Sequence, residues 1–95
     1  MEEIKMLDAV KCYDYRIDLI ATGRNIRNLR EARSITRKYL ADVFDGDASI
    51  QAISKWETGK TLPRIDNLFV LSKVFDVSID EIIVGCGSNP PHKAA

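Results

Sequence analysis

Start and stop signals recur about every ten residues between Thr22 and Gly85, and this punctuation limits the chain to short helices packed against one another. Thr22 is placed to cap a helix over residues 22–33. In it Ile26 and Leu29 share one face, with Arg24, Arg27 and Arg30 recurring beside them. Ser34-Ile35 break it. Thr36 offers its hydroxyl to an amide one turn on, and a second helix runs to about Phe44 with Leu40, Val43 and Phe44 inward. Asp45-Gly46-Asp47 is turn chemistry, because Gly tolerates positive φ and Asp bonds its own backbone. Ser49 caps a third helix over 50–58, which stops at Thr58-Gly59 in left-handed geometry. Leu62-Pro63 is extended, and a fourth helix over 65–75 carries Ile65, Leu68, Leu71 and Phe75 at helical spacing. Ser78-Ile79-Asp80-Glu81 forms a capping box that opens a last short helix, which holds Ile82 and Ile83 and stops near Gly85.

The expected architecture is therefore all-α and five-helical, within a single domain as the 95 residues allow. Residues 1–20 are expected as an N-terminal extension, 21–85 as the domain and 86–95 as a flexible tail. In the extension Ile4, Leu7 and Val10 make a helical stripe, whereas Tyr15, Ile17 and Leu19 alternate like a strand. A short helix followed by an extended piece is expected there.

The longest apolar run, Leu68-Phe69-Val70-Leu71, is far too short to cross a membrane. The acidic start Met1-Glu2-Glu3 lacks the order of a secretory signal, so a cytoplasmic location is expected. There Cys12 and Cys86 stay reduced, and two isolated cysteines make no zinc site. The one histidine, His92, lies in a Pro-rich tail. No metal, cofactor, small-molecule ligand or enzymatic activity is expected.

Formal net charge is zero, which at first sight opposes nucleic-acid binding. Its distribution is uneven. Residues 21–40 hold six basic side chains against Glu31 alone, a local charge of +5, while the first twenty residues carry −2. A basic stripe of this kind is equally a solvated helix face, so charge alone decides nothing.

Four stretches together are more specific. They are Ile26-Arg27-x-Leu29-Arg30, Thr36-x3-Leu40-Ala41, Ile53-Ser54-Lys55-Trp56-Glu57-x-Gly59-Lys60-x-Leu62-Pro63, and Leu68-x2-Leu71-x3-Phe75-x-Val77-Ser78-x-Asp80-Glu81-Ile82. Residues 22–84 so resemble the lambda-repressor-like, or XRE-type, helix-turn-helix family. The resemblance implies a small transcriptional regulator, expected as a repressor, that binds double-stranded DNA with its third helix in the major groove. It also implies phosphate contacts at the starts of helices two and three, here Arg37 and Ser49, with Lys60 in a similar role, and an architectural Arg30–Glu57 pair. Lys60 is equally readable as idle surface charge. With Ile53 and Trp56 buried and Ala41 letting the two helices cross closely, Ile50, Gln51, Ser54, Lys55 and Thr58 are left on the outer face. Gln51 suits a base edge, and Lys55 a guanine or a phosphate.

The sequence departs from the family pattern in three places. The turn between Ala41 and Ile53 is two residues longer than usual, which sets Asp45 and Asp47 near expected phosphates. Ile50 replaces a polar reading residue, and is suited to a thymine methyl or to a protein surface. Ser34 stands where a helix-ending Gly is common. The alternative reading is an interaction module, antitoxin-like or phage-associated, that keeps the fold but binds protein. Phe69 and Val70 are adjacent and cannot both be buried with Leu68 and Leu71. Val70 is expected as the outer one, joining residues 1–20 in a homodimer suited to a palindromic operator.

Overall fold

The computed structural model describes residues 16–87. The stripe of Ile4, Leu7 and Val10, as well as Cys12, Tyr15 and His92, lies outside them. The described residues form five helices: α1 (Leu19–Ala32), α2 (Arg37–Phe44), α3 (Ile50–Glu57), α4 (Ile65–Phe75) and α5 (Ile79–Ile82). No helix among them is long and apolar enough to cross a membrane.

The expected caps act as read. The Thr36 hydroxyl accepts from the Tyr39 amide at 3.0 Å, and that of Ser49 from Ala52 at 3.1 Å. Ser78 and Glu81 form the reciprocal capping box. Gly59, at φ 78°, makes the left-handed stop after α3.

The start of α1 differs. It begins at Leu19, and its cap is Asp18, whose carboxylate accepts from the Ala21 amide at 2.9 Å. Thr22 lies inside the helix, only 1% exposed, and its hydroxyl oxygen accepts from the Val84 amide at 2.9 Å. A capping residue was available earlier in the chain, and Thr22 serves a contact 62 positions away instead. The same pairing shortens α5. Ile17 bridges antiparallel to Gly85, the Asp18 amide donates to the Val84 carbonyl at 2.8 Å, and the chain turns extended at Ile83 rather than continuing as helix.

Ile26, Leu40, Ile53, Leu71, Phe75 and Ile82 are fully enclosed at the centre. Three expectations about facing are corrected. Val43 stays 38% exposed, because Leu40 and Phe44, four apart, already present the inward face of α2. Ile65 is 70% exposed, since as the first residue of α4 it projects beyond the edge of the core. Phe69, and not Val70, is the outer residue of its pair: Val70 packs against the core, while Phe69, two residues or about 200° round the helix from Leu71, is 54% exposed.

Candidate nucleic-acid interface

The interface is built on α3, and α3 is held by a close approach to α1. A Cβ added at Gly23 would lie 2.2 Å from the Trp56 carbonyl oxygen, so the two backbones touch where glycine removes the side chain. Sequence reading passed over Gly23, because a glycine inside a helical pattern signals nothing until its neighbouring helix is known.

Beside that contact, Arg30 and Glu57 form the expected pair in bidentate form. Arg30 Nε donates to Glu57 Oε2 at 2.6 Å and Nη2 to Oε1 at 3.1 Å, while Nη1 donates to the Ile35 carbonyl at 2.7 Å. The Glu57 side chain is 1% exposed and that of Arg30 is 8%. The hydrogen bond to Glu57 raises the Arg30 pKa above its ordinary value, against the desolvation that lowers it. A raised folded pKa contributes stability that is present below the unfolded value and lost only above it, so this arginine stays charged throughout the neutral range.

Arg37 joins the same carboxylate, with Nε donating to Glu57 Oε1 at 3.0 Å, although its side chain is still 37% exposed. Two guanidiniums thus share one buried carboxylate, with the Glu31 carboxylate a further 3.9 Å from Arg30, and the partly exposed Arg37 carries positive charge to where α2 begins. The opposite wall is Trp56, 5% exposed, whose ring meets Phe44 of α2 edge-on at 5.6 Å and 72°. Ala41 packs against this core from α2. The longer turn, with Asp45 at φ 51° and Gly46 at φ 95°, remains on the surface and is anchored by buried Ala48. The extra residues are therefore taken up outside the α2–α3 seam.

The basic region of residues 21–40 is largely spent on the fold. Arg27 pairs with Glu31 at 3.1 Å, Lys38 with Asp42 at 3.7 Å, and Arg33 donates to the Phe75 carbonyl at 2.8 Å, closing the end of α4. Arg24 stays exposed.

With Ile53, Trp56 and Glu57 inward, the opposite side of α3 presents Gln51 and Lys55 to solvent, and Ile50 is 44% exposed at its first turn. Ser54 is half-buried, and Thr58 donates its hydroxyl to the Ser54 carbonyl at 2.9 Å, so neither offers as much as Gln51. Exposed Ser49 accepts from Ala52 and keeps its own proton to donate. Lys60 is exposed just past Gly59, its amide bound to the Lys55 carbonyl at 2.9 Å. All eight residues singled out from the sequence lie on α3, at its two ends or at the adjoining start of α2.

Comparison with known proteins agrees with the fold. A family profile described as Helix-turn-helix matches residues 26–82. The HTH-type transcriptional activator BcrR of Enterococcus faecalis is 40% identical over 63 residues, which are 66% of this chain but 30% of that protein. Among solved structures, the restriction-modification controller protein C.AhdI from Aeromonas hydrophila superposes with a TM-score of 0.62 at 23% identity, over 68% of this chain and 96% of its own. The DNA-binding domain of BldD gives 0.60 at 15% identity, over 70% and 93%. The two structures speak for the fold.

Proposed function

This chain belongs to the helix-turn-helix family, and on that premise we propose that it is a transcriptional regulator that binds double-stranded DNA sequence-specifically through α3. The observation that carries the reading is the division of α3, whose one side is sealed by Ile53, Trp56 and Glu57 while the other presents Gln51 and Lys55. An α-helix about 10–12 Å across fits a major groove about 12 Å wide. Gln51 bonds adenine at two positions, Lys55 reaches a guanine edge, and Ile50 packs on a thymine methyl. Arg37, Ser49 and Lys60 hold phosphates on either side, aided by the unpaired amides at the starts of α2 and α3.

The working form is a cytoplasmic homodimer on a palindromic operator. It acts as a repressor, by covering the promoter on which its operator lies. BcrR is named an activator, and a reporter fused to the bound promoter decides the sign: lower expression with the protein present supports repression, and higher expression overturns it.

Binding to genomic duplex fragments should weaken steeply as salt rises, by about 0.9 in log K per log salt for each phosphate neutralised. Binding that ignores both salt and sequence would overturn the proposal. It would favour a protein partner, for which exposed Ile50, Tyr39 and Val43 offer apolar surface.

A further inference from the structure

The outer face of α4 carries a pattern that the DNA-reading surface leaves unused. Phe69 is 54% exposed and Ile65 70% exposed, two large apolar residues one helical turn apart. They are flanked by exposed charge of both signs. The Asp66 carboxylate lies on the N-terminal side, and the Lys73 ammonium stands 5.2 Å from the centre of the Phe69 ring on the C-terminal side. At 100° per residue, Asp66 and Lys73 fall on the same edge of the stripe and Ile65 on the other.

We propose that this face of α4 is the homodimer interface, packing antiparallel on α4 of a second copy about a two-fold axis at Phe69. The charges select that partner. In an antiparallel pair, Asp66 sits three residues before the ring and the second copy's Lys73 four residues after its own. The two then fall within about 1.5 Å along the axis and on the same edge. Two-fold symmetry makes this contact twice, with the rings and Ile65 side chains closing the space between. A parallel arrangement about a two-fold would bring the charged edge of each helix to the Ile65 edge of the other, and Asp66 and Lys73 would find no opposite charge. Asp66 now pairs with Arg64 at 3.3 Å on the surface, with both side chains more than 60% exposed, a weak contact that yields readily to a better one. One helix face is smaller than the roughly 1,200 Å² of a firm interface, so the free dimer is a weak one that DNA consolidates.

The proposal rests on the DNA-binding reading for its purpose and not for its contacts, so its test begins without DNA. The full chain is followed by sedimentation velocity up to several hundred micromolar, with thermal melts to show that each variant folds. Wild type should dimerise, and Phe69→Glu should weaken the dimer at least tenfold with the melt unchanged. Asp66→Lys and Lys73→Asp should each weaken it too, because each alone sets like charges together. An equimolar mixture of these two variants should dimerise again, since the mixed pair carries both opposite-charge contacts. A wild type that stays monomeric throughout, a Phe69→Glu dimer of full strength, or a mixture no better than its components would each overturn the interface. A separate titration with a single half-site duplex reports on DNA reading: binding by monomeric Phe69→Glu upholds it, and loss of duplex binding by wild type overturns it whatever the dimer does.

Discussion

On its inner face α3 meets α1 with no space to spare, and on its outer face it meets solvent. The inner face combines a backbone contact at Gly23, an enclosed Trp56 and a carboxylate shared by two arginines. The outer face is Gln51 and Lys55, with no packing to maintain. A rigid inner seam fixes the direction in which an otherwise unconstrained outer face points, and reading a groove demands that. Substitutions on one face should therefore register in the melt and those on the other in the binding curve.

The largest effects belong to the seam. Trp56→Ala removes a buried ring that packs edge-on against Phe44 of α2 and should cost about 3–5 kcal/mol in a denaturant melt. A cost under about 1 kcal/mol would mean that the seam is not where the structure puts it. Glu57→Ala leaves Arg30 buried without its partner and sets Arg37 loose, at up to about 3–5 kcal/mol. Retained stability with lost DNA binding would turn this pair from holding to reading and erase the contrast between the faces.

Gly23→Ala is the sharpest probe of the close approach. Ala improves helix propensity by about 1 kcal/mol, so a loose seam would give a more stable protein. The structure predicts the reverse, a loss towards about 3 kcal/mol, because the added methyl meets a carbonyl of the backbone and not a movable side chain. Any gain in melting temperature would break the comparison.

Much of this division was legible beforehand, and what was missed is instructive. Thr36, Ser49 and the Ser78–Glu81 box act within one turn, so the local sequence reveals them. Ile53 and Trp56 follow from period alone. Thr22, Gly23 and Arg33 take their roles from Val84, Trp56 and Phe75, positions remote in sequence, and no local pattern marks them. The basic stripe of α1 decided nothing for the same reason: charge is visible in a sequence, and the acceptor that pairs with it is not.

On the outer face of α3 and at the start of α2 the effects are smaller and appear mainly with DNA. Gln51→Ala should weaken binding to the preferred site by about 1–3 kcal/mol and leave random duplex nearly unchanged. Arg37→Ala should weaken both alike and lower the salt slope by close to one contact. Because Arg37 also bonds Glu57, it should shift the melt slightly, whereas Gln51→Ala should not. Competition on an operator and a scrambled duplex at several salt concentrations separates them. If Gln51→Ala and Lys55→Ala both kept the operator preference, α3 would not be the reading helix.

The smallest expected change works in the stabilising direction. Ser34, between α1 and α2, has φ 56°, a left-handed conformation in which a Cβ is crowded, and its amide closes α1 on the Glu31 carbonyl at 3.0 Å. The side chain is exposed, so a glycine there loses no packing. Relief of roughly 1 kcal/mol of backbone strain is partly offset by the greater freedom glycine gives the unfolded chain. Ser34→Gly should thus stabilise by about 0.5 kcal/mol, a rise of roughly 2–4 °C in Tm for a domain this small. Asp45 and Asp76 share the left-handed geometry at φ 51° and 57°, but aspartate tolerates it better, and the same change there should yield less. Operator affinity and salt slope should stay at wild-type values in Ser34→Gly, since the residue touches neither face of α3. A higher Tm accompanied by altered operator preference would show that strain in this turn reaches the reading helix, and that holding and reading are coupled.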